Sequence, residues 1–281
     1  MPSPFLSLEL LQVRLDAACQ LHRGELTPLP VADMRLGIDL GTSDVVSVVV
    51  DPAGEPLALC LEWADVVRDG VVWNFFGAVE IVRRQLDELE QKLGHRFQSA
   101  TTSFPPGTDP RISVNVLEAA GLTVSAVIDE PSAVVNLLGL QHAAVVDIGG
   151  GTTGVAIVEQ GKVVYSADEA TGGHHVSLTL SGHCGRPLAE VEVMKREQGS
   201  EVWPIVRPVF EKMCDIVQHH LERMPKGDLY LSGGSCTLPG VRELFQREFP
   251  AHRVHLPRHS LYLTPLAIAC YGQATGASHA G

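Results

Sequence analysis

The chain has 281 residues, of which 45% are hydrophobic and 19% charged, so it is long enough for one large domain or two lobes with separate cores. Its formal net charge of −12 argues against sequence-independent nucleic-acid binding, which needs a basic surface to neutralise phosphates. The six cysteines form no C-x-x-C pair, and neither a signal peptide nor a bilayer-spanning apolar run is evident, which predicts a soluble cytoplasmic protein with free thiols.

Residues 5–23 predict an N-terminal amphipathic helix. Apolar side chains recur along it every three or four residues, which places them in one stripe: Phe5, Leu8, Leu11, Leu15, Ala18 and Leu21. Residues 24–30, GELTPLP, cannot continue a helix and predict a linker. Two hypotheses fit this layout: a docking tag that binds a partner, or a helix packed on the flank of its own protein.

The chain then carries nearly the same pattern twice. LGIDLGTSDVVSVVVDPAGEPLAL begins at Leu36, and VVDIGGGTTGVAIVEQGKVVYS begins at Val145. Each copy has an apolar run ending in Asp, a turn of Gly with Ser or Thr, and two further apolar runs, which predicts β-hairpins. Glycines let backbone N–H groups approach an anion, and the Asp can bind a divalent metal through water. Two such loops predict a polyphosphate nucleotide held between two lobes.

Helices and strands are predicted to alternate between and after the two copies. The predicted helices are 76–93, 110–120, 129–140, 187–198, 203–224, 239–249 and 265–273, and the predicted strands outside the copies are 99–104, 122–128 and 228–231. This order predicts an α/β fold with two lobes, each a mixed sheet flanked by helices. Trp63, Trp73 and Trp203 are predicted to be packing residues, and the polar tail 274–281 is predicted to fray.

Five motifs in order resemble the actin, heat-shock chaperone and sugar-kinase superfamily. They are a phosphate loop at Asp39–Asp44, a connecting helix with Glu130-Pro131-Ser132-Ala133, a phosphate loop at Asp147–Gly154, an adenosine loop at Gly233-Gly234-Ser235, and a second connecting helix at Thr264–Gly272. Within that superfamily the core most resembles the bacterial actin-like and DnaK-like groups, and the insert of the second lobe looks trimmed. FPPGTDPRISVNVLEAAGL, VVDIGGGTTGVAIV and YSADEATGGHH resemble a family of chaperone-like ethanolamine-utilisation proteins.

The resemblance implies an actin-like (ribonuclease H-like) duplicated fold, with two lobes of mixed sheets flanked by helices around a nucleotide cleft. Its expected divisions are an N-terminal helix and linker at 1–30, lobe I at 31–143, lobe II at 144–263, and a C-terminal helix returning to lobe I, with the tail, at 264–281.

The resemblance also implies residue roles, with ATP or ADP and Mg²⁺ as cofactors. Asp39 and Asp147 would face each other across Mg²⁺ and bind its water shell, and Glu130 would orient or deprotonate the attacking water. The β- and γ-phosphates would be bound by Gly41, Thr42, Ser43, Gly149, Gly150, Gly151 and Thr152. The adenosine would be bound by Gly233, Gly234 and Ser235, together with Glu192, Lys195 and Arg196 of a lobe II helix.

Three departures from the superfamily pattern bear on hydrolysis. Asp44 places a carboxylate beside the first phosphate loop, where relatives often have a neutral residue. The lysine nearest that loop in sequence is Lys92, so the phosphate-contacting lysine of relatives has no obvious equivalent. His174 follows Gly172-Gly173, where relatives usually have an acidic residue. Losing a cation near the γ-phosphate would slow transfer by roughly 10³–10⁵, so ATP binding is expected more strongly than turnover.

The predicted function is therefore that of an actin-like, DnaK-like ATP-binding protein and slow ATPase, acting as a chaperone-like or assembly factor in ethanolamine utilisation. Its expected partners are an ethanolamine-degrading enzyme or microcompartment shell proteins, without nucleic acid or membrane. As a tag, the N-terminal helix would favour association with a bacterial microcompartment. The alternatives are a non-hydrolysing nucleotide-binding adaptor or scaffold, and a filament-forming protein, which the short second lobe disfavours.

Overall fold

The structure is a computed structural model that describes residues 5–27, 29–68, 71–224 and 226–275. Its helices are α1 (Leu8–His22), α2 (Phe75–Leu93), α3 (Arg111–Ala120), α4 (Glu130–Leu138), α5 (Gly173–Cys184), α6 (Leu188–Glu197), α7 (Gly199–Leu221), α8 (Val241–Glu248) and α9 (Leu263–Thr275). Its strands are β1 (Arg35–Leu40), β2 (Asp44–Val50), β3 (Pro56–Trp63), β4 (Val67–Arg68), β5 (Val71–Val72), β6 (Ser99–Phe104), β7 (Thr123–Asp129), β8 (His142–Ile148), β9 (Thr153–Glu159), β10 (Lys162–Glu169), β11 (Gly227–Ser232) and β12 (His252–His255). Short 3₁₀ turns lie at Gly234–Thr237 and Ser260–Tyr262.

Two mixed sheets carry the two copies of the sequence pattern. Over the described residues, the first is five-stranded with the order β3-β2-β1-β6-β7, and the second is five-stranded with the order β10-β9-β8-β11-β12. In both, the first strand pairs antiparallel with the next strand and parallel with a strand that follows helices. The matching orders confirm the predicted duplication. We call the first sheet with α2 and α3 lobe I, and the second sheet with α5 to α8 lobe II.

Lobe I buries both faces of its sheet. One face, which includes Ile38, packs against α2 and α3. The opposite face, which includes Val48, packs against α1, α4 and α9. Helix α9 crosses β1 so closely that a Cβ atom at Gly37 would lie 2.5 Å from the backbone nitrogen of Ala269. Glycine at this position therefore lets the C-terminal helix return to lobe I.

Lobe II packs its helices on one face of its sheet. Phe210 and Met213 of α7 are fully buried in a core that includes Ile157 of the sheet. Val145 and Val158 belong instead to the core shared with α4, on the other side of the sheet. Because α4 joins the two sheets and packs with α9, these two helices connect the lobes at the base of the cleft.

Helix α1 is an integral part of the protein. Leu11 and Leu15 are fully buried against lobe I, and each buried leucine contributes about 1.5–3 kcal/mol. Arg14 is also buried, where it donates to the carbonyl of Ala53 at 2.8 Å and pairs with Glu55 at 2.9 Å. The docking-tag hypothesis for residues 5–23 is therefore wrong, and the alternative of a helix packed on its own protein is correct.

Two terminal predictions fall partly outside the described residues. The predicted linker, 24–30, includes Pro28, which lies outside the described residues, and its other residues lie in neither helix nor strand. The tail predicted to fray lies outside the described residues from 276 onward, whereas Ala274 and Thr275 complete α9. Within the described chain, no helix combines the length and the apolar character that crossing a bilayer requires.

Most other elements lie within a few residues of their predicted bounds, and β6 has the predicted bounds. Helix α3 begins one residue later than predicted, with Pro110 as its N-cap. Four elements were missed, among them the two-residue strands β4 and β5. Helix α5 begins at the second glycine of a Gly-Gly pair and contains histidines, glycines and a threonine, which form helices weakly. Strand β12 has only four residues.

Candidate functional site

A cavity of about 390 Å³ lies between the two lobes, in the size range of small-molecule sites. The predicted site residues that line it are Asp39, Gly41, Thr42, Ser43, Glu130, Asp147, Gly149, Gly150, Thr152, Glu192, Lys195, Arg196, Gly233, Gly234 and Ser235. Gly151 is the predicted site residue that does not line it, although its loop does. The structure thus brings residues from all the predicted binding motifs to one cleft.

Asp39 and Asp147 occupy equivalent positions at the ends of β1 and β8. The Ser103 hydroxyl donates to Asp39 at 2.9 Å, and the Ser232 hydroxyl donates to Asp147 at 2.7 Å. Both serines lie at the ends of the parallel neighbouring strands, β6 and β11, so the duplication extends to these donors. Sequence reasoning missed both, although a serine at the matching strand end in each half was an available signal. Asp147 also accepts from the hydroxyl of Thr264 at the start of α9.

The two phosphate loops approach each other closely. A Cβ atom at Gly150 would lie 2.0 Å from Ser43 Oγ, and one at Gly151 would lie 2.8 Å from the Thr42 side chain. A Cβ atom at Gly172 would lie 2.8 Å from the backbone of Gly151. Glycines here allow backbone N–H groups and hydroxyls of both lobes to converge, as a phosphate site requires.

Buried carboxylates dominate the electrostatics of the cleft. Burial, followed by repulsion from Asp44, raises the pKa of Asp39 to about 7. Burial and the charge of Asp147 raise the pKa of Asp44 to about 7. Burial also raises the pKa of Asp147, against two hydroxyl donors that lower it. Burial, then the charges of Asp39 and Asp147, raises the pKa of Glu130 well above its usual value. A divalent cation would relieve the repulsion among these groups.

Glu130 is the first residue of α4. The preceding Asp129 caps that helix, because its carboxylate accepts from the backbone N–H of Ser132 at 3.1 Å. This arrangement aims the start of α4 at the cleft between the two phosphate loops, where Glu130 lines the cavity.

Asp168, which sequence reasoning missed, lies on β10 opposite Gly154 of β9. One of its carboxylate oxygens is buried without a hydrogen-bond partner among the described residues, and burial raises its pKa to about 6. It lines a second cavity, of about 380 Å³, that shares Thr152 with the first. Only the pairing of β9 with β10 brings it there, so no local motif could have shown it.

The predicted adenosine-binding helix, α6, holds its charged residues in one cluster. Lys195 Nζ donates to the carbonyl of Gly173 at 3.0 Å and to Ser177 Oγ at 2.7 Å, and it pairs with Glu192 at 3.0 Å. Burial lowers the pKa of Lys195, although the charge of Glu192 opposes this shift. These contacts fix the ammonium group within lobe II. Arg196 also pairs with Glu192, at 3.7 Å.

Residues outside every predicted motif also line the cleft. They come from the end of α1, from the loop before α9 and from β3: Cys19, His22, Arg23, His259, Leu261, Tyr262 and Trp63. The rings of His22 and Tyr262 are 6.0 Å apart, so α1 meets the loop before α9 at this wall. Because α1 was considered a possible tag outside the fold, its residues were not predicted to line the cleft. Trp63 is 44% exposed rather than packed in a core.

Comparison with known proteins identifies the family. The ethanolamine utilization protein EutJ of Escherichia coli (strain K12) is 67% identical over 238 residues, which cover 85% of this chain and 86% of that protein. The chain belongs to the EutJ family. The crystal structure of EutJ from Carboxydothermus hydrogenoformans superposes with a TM-score of 0.88 at 39% identity, covering 94% of this chain and 99% of that one.

The EutJ family shares its fold with actin-like proteins. The family model of cell division protein FtsA matches residues 144–272. The crystal structure of MreB 5 of Spiroplasma citri bound to AMPPNP superposes with a TM-score of 0.68 at 17% identity, covering 88% of this chain and 98% of that one. These likenesses confirm the predicted actin-like two-lobed fold.

Proposed function

We propose that this EutJ family member binds Mg²⁺–ATP between its lobes and acts as a chaperone-like or assembly factor in ethanolamine utilisation, with slow hydrolysis at most. This proposal rests on one observation: both phosphate loops line the same cavity, and each follows a strand that has an aspartate near its end. The nucleotide in the structure of MreB 5, a protein of the same fold, supports it.

The residues of the cleft fit such a ligand. Glycines at 150 and 151 face the hydroxyls of Ser43 and Thr42, so donors from both lobes surround the space between the loops. Asp39 and Asp147 would bind the water shell of Mg²⁺, and the metal would supply the charge that lets carboxylates and phosphates share the cleft.

The remaining chemistry belongs to the chain's own residues. Glu130, at the start of α4, would accept a proton from water, or orient that water, as it attacks the γ-phosphorus and the bond to ADP breaks. Two features favour slow turnover. Asp44 places another carboxylate in the cleft, and Lys195 is already engaged by the Gly173 carbonyl and by Glu192. The geometry therefore supports binding more strongly than hydrolysis.

The biological role would follow from lobe movement. If ATP and ADP favour different separations of the lobes, a partner with different affinities for those states will respond to the nucleotide. An ethanolamine-degrading enzyme or a microcompartment shell protein is the proposed partner, because the family acts in that pathway. Since α1 is not a docking tag, the remaining support for the proposed association with a microcompartment is the pathway in which the family acts.

Calorimetric titration with ATP, with and without Mg²⁺, tests the binding proposal. We expect saturable binding that Asp147→Ala weakens at least about tenfold, since an ionised group is then missing at the metal. Asp215→Ala, which removes an exposed carboxylate of α7, is the matched control and should change nothing. If wild-type protein shows neither heat nor a thermal shift with ATP, ADP or AMPPNP, the proposed function is wrong.

Steady-state phosphate release, with and without the ethanolamine-degrading enzyme, separates the slow ATPase from the non-hydrolysing adaptor. Glu130→Ala should abolish turnover while leaving ATP affinity within a few-fold, because the group acts in the transition state. Equal turnover in the variant and the wild type would remove Glu130 from the mechanism. Tight binding with no turnover under either condition would favour the adaptor.

A further inference from the structure

Trp63 and Arg196 meet across the mouth of the cleft from different lobes. Trp63 ends β3 of lobe I, and Arg196 lies near the end of α6 of lobe II. The guanidinium carbon of Arg196 is 4.4 Å from the centre of the Trp63 ring, within the range of a cation–π contact. Both residues line the cavity and both are partly exposed, so the contact lies where the cavity meets solvent.

Trp63 is attached to the first phosphate loop. It pairs in register with Asp44, the residue that ends this loop. The next residue, Ala64, donates its backbone N–H to the carbonyl of Ser43 at 3.0 Å. Any displacement of the loop by a ligand would therefore move the tryptophan.

Arg196 is attached to the opposite side of the cleft. It pairs with Glu192, which in turn holds Lys195, and Lys195 binds the carbonyl of Gly173 beside the second phosphate loop. The charge of Arg196 also lowers the pKa of Asp44, against the burial that raises it, so the two groups attract each other across the cleft. The stack thus connects both phosphate loops at the mouth.

We propose that the Trp63–Arg196 stack is a gate that retains nucleotide: the two residues hold the lobes together over the ligand, and the contact must break before the ligand leaves. This inference rests on the proposed nucleotide binding. It assigns Trp63, a residue outside every phosphate or adenosine motif, a positioning role in ligand retention. A cation–π contact of this kind changes the release rate by about 5- to 30-fold when its free energy is lost on opening.

The chain contains a matched control. Arg68 and Trp73 form a second stack at 4.3 Å, but both residues lie in the segment between β3 and α2 of lobe I. Trp73 is 52% exposed, similar to Trp63, and does not line the cleft. Removing Trp73 therefore removes a contact of the same chemistry that does not join the lobes.

The test is stopped-flow release of N-methylanthraniloyl-ADP in the presence of Mg²⁺, chased with excess ADP. We expect Trp63→Ala to release the probe about 5- to 30-fold faster than wild type, and Trp63→Phe, which keeps an aromatic face, to recover much of the difference. The double variant Trp63→Ala/Arg196→Gln should release no faster than the faster single variant, since both single changes break one contact. Trp73→Ala should remain within twofold of wild type.

The outcomes separate the gate from the proposed function. If wild type binds the probe but Trp63→Ala releases it within twofold of wild type, the gate is wrong and nucleotide binding stands. If neither fluorescence nor calorimetry detects binding to wild type, both are wrong. Equal acceleration by Trp73→Ala would show a general loss of stability and overturn the gate. If Trp63→Ala does not fold, Trp63→Leu decides, because it also removes the aromatic face and leaves Arg196, a proposed adenosine-binding residue, in place.

Discussion

The two lobes have the same strand order, but their equivalent aspartates differ in their hydrogen-bond donors and in the charges beside them. Asp39 of lobe I accepts one side-chain hydrogen bond, from Ser103, and is repelled by Asp44. Asp147 of lobe II accepts from two hydroxyls, those of Ser232 and Thr264. The two lobes thus place the carboxylate at the same position but differ in the number of side-chain hydroxyls that donate to it. Two hydroxyls of lobe II offset part of the effect of burial on Asp147, whereas in lobe I repulsion from Asp44 adds to the effect of burial on Asp39.

The lobes also differ in what covers them. In lobe I, α1 packs on the sheet and reaches the cleft at His22 and Arg23. Lobe II instead carries the charged cluster around Glu192 and Lys195. We infer that α1 stabilises lobe I, while lobe II supplies the fixed charges at the proposed adenosine end of the cleft.

The largest expected effect concerns α1. Leu15→Ala removes a fully buried side chain from the lobe I core and should lower the free energy of unfolding by about 2–5 kcal/mol in urea denaturation. Val13→Ala, on the same helix but 59% exposed, should change it by less than about 0.5 kcal/mol. Equal, small effects of both substitutions would mean that α1 does not stabilise lobe I.

Stability without metal should fall as pH rises. The pKa values of Asp39 and Asp44 are about 7 in the folded chain, above the value of about 3.9 for unfolded aspartate. Between about pH 4 and 7 the folded chain therefore keeps protons that the unfolded chain releases, so the free energy of unfolding decreases across this window and levels off above about pH 7.

Asp44→Asn should reduce that decrease, because one of the strained acids is gone. The measurement is urea denaturation in EDTA at pH 5, 6, 7 and 8, and the expected difference from wild type is about 1 kcal/mol per pH unit inside the window. Asp87→Asn, an exposed residue of α2, should keep the wild-type profile. A wild-type stability that rises from pH 5 to 7 would contradict the carboxylate account.

A smaller effect should distinguish the two aspartates of the proposed metal site directly. In EDTA at pH 8, Asp39→Asn should raise the melting temperature by a few degrees, since about 1 kcal/mol corresponds to about 2–4 °C in a chain of this size. Asp147→Asn should raise it less or not at all, because two hydroxyls stabilise the native charge there. Equal shifts would show that the lobes support their carboxylates equally.

Local patterns in the sequence predicted much of the fold. The duplicated runs specified both hairpins, and the strand signals around residues 99–104 gave β6 its observed bounds. Helix α5 was missed because tertiary contacts compensate for its weak helix formers, including the burial of Val176 and Leu180 in lobe II. For α1, the periodic apolar stripe was recognised, but the stripe is the same for a tag and for a packed helix, so only tertiary contacts decide between them.

The lining of the candidate site was predictable where its residues lie in contiguous loops. Gly150 and Ser43 belong to recognisable motifs, and the structure places them against each other. Asp168 and Trp63 reach the site only through the pairing of β10 with β9 and the contact of β3 with α6. No local spacing encodes those contacts, so the cross-strand acid and the cross-lobe stack could not be predicted from the sequence.

Hydrogen exchange measured by mass spectrometry, with and without Mg²⁺–ATP, tests the central claim most directly, because it reports on each phosphate loop separately. If one nucleotide binds between the lobes, backbone amides around Gly41–Asp44 and around Gly149–Thr153 should both gain protection, whereas exposed turns such as that at Gly161 should not change. Protection of one loop alone, or of neither at saturating nucleotide, would contradict a ligand held jointly by the two lobes.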